Sequence, residues 1–252
     1  MRLTAISIFV LFLGNSIADS NFDNCKVQKS QQNDPQVTAL ILARGGSKGI
    51  PLKNIARIGN QTLMGRTLDT INLFGRFNDV WVSTDHALIA DVAKKHCAKV
   101  FKRSPEFAKD ETASIVSVQE FINQTFTSPI VALIQVTSPF LREKYLAKAF
   151  DVIQNGKHCV FTVTRSHKLR WAQTNGRILP LNFDPEKRPR RQDWSGELVE
   201  NGMFYMASKD LLIEGKFQDE DCGIVEVDKK DSIDIDTPED LKLVEFLLAM
   251  QE

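Results

Sequence analysis

Residues 36–54 read QVTALILARGGSKGIPLKN, and this stretch decides the fold. Val37 to Ala43 is an apolar, partly β-branched run, the pattern of a strand. It ends at Arg44, after which three glycines (Gly45, Gly46, Gly49) are interleaved with the cations Arg44, Lys48 and Lys53. A strand that runs straight into a glycine-rich loop is the opening unit of an open α/β sheet, whose ligands bind beyond the C-terminal strand ends.

Downstream, apolar runs alternate with longer amphipathic ones. Strands are predicted at Val80 to Ser83, Val100 to Lys102, Ile130 to Gln135 and Cys159 to Val163; helices are predicted near Leu63 to Phe74, Leu88 to His96, Ser114 to Thr125 and Lys144 to Gln154. The fold class is therefore α/β, a doubly wound, mostly parallel sheet. Chemistry is expected after Ala43, Ser83, Lys102 and Ile134. The rhythm breaks in residues 165–201, rich in Arg, Pro, Asn and Trp, which read as an insertion reaching away from the sheet. It resumes with a strand at Met203 to Ala207, a short helix after Ser208, strands at Ile224 to Val227 and Ser232 to Asp236, and a final helix. Thr237-Pro238-Glu239-Asp240 starts that helix, with Thr as N-cap, Pro at N1 and an acid at N3.

The chain has 252 residues, room for one α/β domain (36–252) with an appendage. Lys plus Arg and Asp plus Glu are balanced at 32 each, so the overall field recruits neither nucleic acid nor an anionic membrane, and any charge-driven function must be local. Residues 1–18 read as a signal peptide cleaved after Ala18, with an uncleaved anchor as the alternative; the run Leu3 to Leu13 falls short of the ~20 residues needed to span a bilayer. Residues 19–35 are polar and aperiodic, as in a flexible N-terminus. A secretory-pathway lumen, ER or more specifically Golgi, follows, with no stable membrane insertion after cleavage; sequons at Asn60 and Asn123 agree.

The four cysteines, Cys25, Cys97, Cys159 and Cys222, contain no CxxC pair, so no structural zinc site is expected. They allow two disulfides in three connectivities; the alternative is that Cys97 and Cys159 are buried free thiols. The four histidines lack ligand spacing and receive no role.

The loop from Arg44 to Asn54 has neither P-loop nor GxGxxG spacing. Its glycines free backbone N–H groups to face an anion, and its three cations match a triphosphate, although a plain glycine-rich turn is the bland alternative. RGGSKGIPLKN resembles the N-terminal signature of the CMP-sialic acid synthetases (CMP-N-acylneuraminate cytidylyltransferases). Further matches follow in order: VSTD (82–85), Arg103 with KDETAS (109–114), QVTSP (135–139), KRPRRQDW (187–194), ENGMFY (200–205) and SIDID (232–236). KRPRRQDW and ENGMFY are most similar to the animal type, here read without its phosphatase-like C-terminal domain.

The resemblance implies a nucleotide-diphospho-sugar transferase-like fold and transfer of CMP from CTP to a sialic acid, with release of pyrophosphate. It implies that Arg44 and Asn54 hold the nucleotide's triphosphate and sugar, that Lys48 and Lys53 neutralise phosphate charge, and that Arg103, Thr112 and Ser114 line the cytidine pocket. Gln135 would bind the sialic acid. Arg190, Arg191 and Gln192 would reach a neighbouring subunit's site, Arg190 and Arg191 acting there in catalysis, which implies a homodimer or a dimer of dimers with residues 165–201 as its dimerisation segment. Guanidinium groups suit the acidic sugar because they bind carboxylates bidentately. The basic run Lys187 to Arg191 also resembles a nuclear localisation signal, which a chain translocated into the lumen would not use.

SIDID has a physical reading of its own. On a strand, Asp234 and Asp236 share one face while Ile233 and Ile235 pack behind. Two such carboxylates suit Mg²⁺, with Mn²⁺ as a substitute, and Asp236 is the expected catalytic ligand. The alternatives are solvated aspartates, activation of another acidic 2-keto sugar such as KDO, and a catalytically silent lumenal sugar- or nucleotide-binding protein.

Overall fold

A computed structural model describes residues 34–250. The expected leader, its cleavage site, most of the polar segment and Cys25 lie outside the described residues. In chain order the elements are β1 (Val37–Leu42), β2 (Arg57–Ile58), β3 (Gln61–Thr62), α1 (Leu63–Phe74), β4 (Asp79–Thr84), α2 (Ala87–Lys95), β5 (Lys99–Lys102), α3 (Ser114–Gln124), β6 (Ile130–Ile134) and α4 (Glu143–Gln154). There follow β7 (Cys159–Ser166), β8 (Trp171–Thr174), β9 (Arg177–Pro180), β10 (Glu197–Ser208), α5 (Lys209–Ile213), β11 (Gly223–Glu226) and α6 (Pro238–Ala249).

Seven strands form the main sheet in the order β11-β7-β10-β6-β1-β4-β5. β1 lies inside it, parallel to β4 and β6, and only β10 runs against its neighbours. The alternation of β1 builds three layers. Val37, Ala39 and Ile41 face a core with Leu68 of α1, Ile89 of α2 and Phe150 of α4, whereas Leu40 faces Phe121 of α3 and Leu211 of α5. Phe74, Phe77 and Phe150 meet edge to face, at 5.0 to 5.6 Å between ring centroids. Thr62 caps α1 by accepting from the Gly65 N–H at 3.0 Å, and Gly75 ends the helix at φ 66°. None of the described helices is long and apolar enough to cross a membrane.

Two expectations change, and one of the two cysteine readings is closed. Residues 232–236 join no ladder, because β11 already closes the sheet edge on β7 and the chain turns away through a 3₁₀ turn at Lys229–Asp231. The segment finds other partners, the Ile235 N–H donating to the Thr137 carbonyl at 2.9 Å. Residues 165–201 contain regular structure: β10 already pairs with the end of β7 from Glu197, and β8 and β9 form a hairpin. Finally, Cys97 and Cys159 are not free thiols. Cys159 is bonded to Cys222, and Cys97 is also disulfide-bonded.

Candidate active site

The C-terminal ends of β1, β5 and β6 open onto a cavity of about 580 Å³. Its wall includes Arg44, Lys48, Lys53 and Asn54 from the first loop, Arg103, Thr112, Ser114 and Gln135 from the sheet and α3, and Asp236 from the last segment. Nine of the residues singled out from the sequence thus meet in one concave space, where an open α/β sheet binds its ligand.

The loop is held open by contacts to later strands. The Gly45 N–H donates to Asp85 Oδ1 at 2.9 Å, and a Cβ on Gly45 would lie 2.8 Å from the His86 ring, so only glycine fits there. Buried Asn54 donates its side-chain amide to the Arg44 carbonyl at 3.1 Å, tying the two ends of the loop together. Lys53 reaches across to the last segment, its ammonium 2.9 Å from the Ile235 carbonyl and 3.2 Å from Asp236 Oδ1.

On the other wall, Arg103 is 4% exposed and donates to Ser83, through Nε to the hydroxyl at 3.0 Å and through a terminal nitrogen to the carbonyl at 2.8 Å. Burial lowers its pKa to about 10, opposed by the charges of Asp85 and Glu120, so it stays a cation at neutral pH. The two loop cations have a carboxylate partner that the sequence did not reveal. Asp110 lies 2.5 Å from Arg44 and 2.6 Å from Lys48. The hydrogen bond from Lys48 holds the Asp110 carboxyl below the ordinary range, and Asp110 raises Lys48 in turn.

Asp234 and Asp236 flank fully buried Ile235 on the exposed side of the chain, as alternation requires even without a ladder. Desolvation raises the Asp234 carboxyl, a hydrogen bond from Thr137 opposes this, and the charge of Asp236 adds to it. Two carboxylates two residues apart on the open side of one segment are an oxygen donor set that a hard divalent cation takes, so these residues fit one. Asp236 belongs to the cavity wall; Asp234 does not.

Arg190, Arg191 and Gln192 are not brought to the cavity within one chain. All three are exposed; Arg190 pairs with Asp193 at 2.8 Å, and Arg191 borders a separate depression with Thr164 and Lys229. Besides Asp110, sequence reasoning assigned no role to Asp85, Ser83 or Thr137. VSTD, KDETAS and QVTSP contain all four, so their signal lay in the matched motifs.

Comparison with known proteins adds to this geometry. The chain is similar to N-acylneuraminate cytidylyltransferase A of Danio rerio, 44% identical over 83% of this chain and 50% of that protein. It is also similar to the N-acylneuraminate cytidylyltransferase of Oncorhynchus mykiss, at 41% over 92% of this chain and 54% of that one. The chain thus spans about half the length of the curated relatives it matches. Among solved structures, a CMP:2-keto-3-deoxy-manno-octonic acid synthetase complexed with CTP superposes with a TM-score of 0.65 at 16% identity, over 86% of this chain and 100% of that one. The 4-diphosphocytidyl-2C-methyl-D-erythritol synthase of Anaerococcus prevotii gives 0.62 at 18%, over 85% and 96%. These likenesses agree with the α/β fold read from the first strand and loop. Residues 38–251, which include the whole wall of the cavity, match the model of the cytidylyltransferases, and the chain belongs to that family.

Proposed function

We propose that this chain transfers the cytidylyl group of CTP to the anomeric hydroxyl of an N-acylneuraminate, releasing pyrophosphate. One observation carries the reading: a single cavity gathers three loop cations, a buried arginine and an aspartate around a space suited to a nucleotide and a second ligand. The relatives named for this reaction support the choice of sugar.

Lys48 and Lys53 face the triphosphate and offset its charge, while Arg44 binds it and Asn54 fixes the loop's shape. Arg103, braced by Ser83, sits with Thr112 and Ser114 where the base and ribose lie, and Gln135 faces the incoming sugar. Mg²⁺, or Mn²⁺ in its place, held by Asp236 with Asp234 behind it, would supply charge neutralisation at the phosphates. The residues lower the barrier by aligning the hydroxyl with the α-phosphorus and stabilising developing charge.

The chain acts as a homodimer or a dimer of dimers, with Arg190, Arg191 and Gln192 contributed to a neighbour's cavity. Trp171, Ile178, Leu179, Leu181 and Leu198 are about half exposed on and beside the β8–β9 hairpin and support this pairing. A secretory-lumen location, in the Golgi, is supported by the disulfides and by the exposure of Asn60 and Asn123, its two sequons.

The test is chromatographic assay of purified protein with CTP, a divalent cation and a panel of 2-keto acid sugars. CMP-N-acetylneuraminate is the expected main product; faster turnover with KDO, or no CMP-sugar at all, overturns the reading. In cells, a protein insensitive to endoglycosidase and present in the nucleus overturns the lumenal assignment.

A further inference from the structure

Among the described residues, one cluster of metal-ligating side chains stands apart from the cavity. It lies at the other end of the sheet. His158 and Cys159 stand at the start of β7, and Asp219 and Cys222 lie in the turn leading into β11. The ladder that pairs Gly223 with Val160 places the two cysteines side by side, and they are disulfide-bonded with Cα atoms 4.7 Å apart.

The Asp219 carboxylate is folded over this bond. One oxygen is 2.9 Å from His158 Nε2, and the other lies 3.5 Å from Cys159 Sγ and 3.6 Å from Cys222 Sγ. The Asp221 N–H holds the second oxygen at 3.0 Å. The His158 side chain is 42% exposed, so the cluster opens to solvent, whereas Cys159 is buried.

We infer that reduction of the Cys159–Cys222 disulfide turns this cluster into a zinc site whose four ligands are Cys159, Cys222, His158 and Asp219. With the disulfide intact the sulfurs are uncharged, poor ligands, and only imidazole and carboxylate remain. A dithiol reductant supplies two electrons: the S–S bond breaks, the dithiol closes to its own disulfide, and each cysteine takes one proton. Zn²⁺ then displaces both protons to solvent and binds the two thiolates.

Two thiolates, an imidazole and a carboxylate are a donor set zinc takes tetrahedrally, with bonds of about 2.0 to 2.3 Å that place the donors roughly 3 to 4 Å apart. The contacts of Asp219 to His158 and to both sulfurs are already on that scale, and binding requires the bonded sulfurs to part so that Cys222 joins the other three donors. The Asp221 N–H orients the carboxylate, as outer partners of metal ligands do. The sequence concealed the set because the cysteines stand 63 residues apart rather than in a CxxC pair. The disulfide and the metal are alternative staples between β7 and the lead into β11, one for an oxidising and one for a reducing compartment.

The test uses the whole purified chain. It is reduced with a water-soluble phosphine, which becomes its oxide with oxygen from water, then desalted under argon and titrated with Co²⁺ followed by Zn²⁺. The oxidised chain should show no thiolate-to-cobalt charge-transfer absorption. The reduced chain should show it together with intense tetrahedral d–d bands, saturating at a single Co²⁺ and bleached by Zn²⁺. Cys222→Ser should abolish the charge-transfer band. His158→Gln, at a side chain that is 42% exposed, should weaken Co²⁺ binding at least ~10-fold. Cys97→Ser should change nothing. A reduced wild-type chain without the band, a band that survives Cys222→Ser, or one lost in Cys97→Ser overturns the site.

Discussion

The ammonium of Lys53 stands 3.2 Å from the carboxylate of Asp236, across 183 positions of sequence. One side chain thereby joins the first loop of the domain to its last irregular segment, and its second bond, to the Ile235 carbonyl, fixes that segment's backbone.

Asp236→Asn keeps the shape of this pair and removes the charge a divalent cation needs. Turnover is expected to fall by at least ~100-fold, the scale seen when one electrostatic group of an active site is lost, with partial recovery at high Mg²⁺ or with Mn²⁺. The melting temperature should stay near that of the wild type. Ile235→Ala, at a fully buried position, should instead cost about 2–5 kcal/mol in urea unfolding before turnover is affected. An Asp236→Asn protein with normal turnover and unchanged Mg²⁺ dependence would remove this carboxylate from the metal site.

Asp110 occupies both Arg44 and Lys48, so a triphosphate has to compete with it for the same cations. Asp110→Asn should lower the KM for CTP by ~3–10-fold at low ionic strength, and the gain should shrink as salt screens the exposed pairs. Because Lys48 holds the Asp110 carboxyl below its ordinary range, the competition should persist into mildly acidic buffer. Steady-state kinetics across salt and pH test this; a higher KM in the variant would make Asp110 a ligand contact instead.

Arg103→Lys keeps a cation but loses the fork that grips Ser83. The KM for CTP should rise about tenfold, and stability should drop by about 1–3 kcal/mol because a buried hydroxyl and carbonyl lose charged donors. Equal KM values for the two proteins would exclude Arg103 from the nucleotide pocket.

Desolvation raises the Asp234 carboxyl, so the folded chain binds that proton more tightly than the unfolded chain does. Its contribution to stability is full at low pH and is lost as pH rises through the raised value. Asp234→Asn should therefore raise the melting temperature slightly near pH 7, the gain being limited by solvent screening at this exposed residue, change little near pH 4, and still lower activity. Calorimetry at the two pH values checks the sign, and a gain confined to acid would reverse it.

If active sites are shared between subunits, mixing inactive Arg191→Ala and inactive Asp236→Ala chains should restore part of the activity, because a mixed dimer holds one intact site. No recovery after demonstrated subunit exchange would place Arg191 outside catalysis.

What the sequence made legible depended on local signals. The amphipathic period near Leu63 to Phe74 locates α1, and the Thr62 cap and the Gly75 stop bound it. In residues 232–236 the alternation identified the buried and open faces correctly, yet a strand also needs a neighbour with free hydrogen bonds, which a pattern does not record. The β8–β9 hairpin was missed for a related reason: Trp171, Ile178 and Leu179 remain about half exposed, so burial never imposes a period on them. Nine cavity residues could be singled out by charge, glycine content and motif. Asp110 lies inside the matched KDETAS stretch, but its pairing with Arg44 and Lys48 depends on the fold bringing that loop against the first one.

The start of α6 has a dynamic consequence. Asp240 Oδ2 accepts the N–H of Thr237 at 2.8 Å, its hydroxyl at 2.8 Å, and the N–H of Asp236 at 3.1 Å, while Thr237 Oγ1 accepts from the Asp240 N–H at 3.2 Å. The backbone of Asp236, which belongs to no helix or strand, is thus held by the first turn of a helix. Its amide should exchange hydrogen with solvent in step with that turn rather than with the surrounding loops. Fraying of α6 and release of the Asp236 backbone are then one event, and the lifetime of the helix end sets how long this carboxylate stays aimed into the cavity.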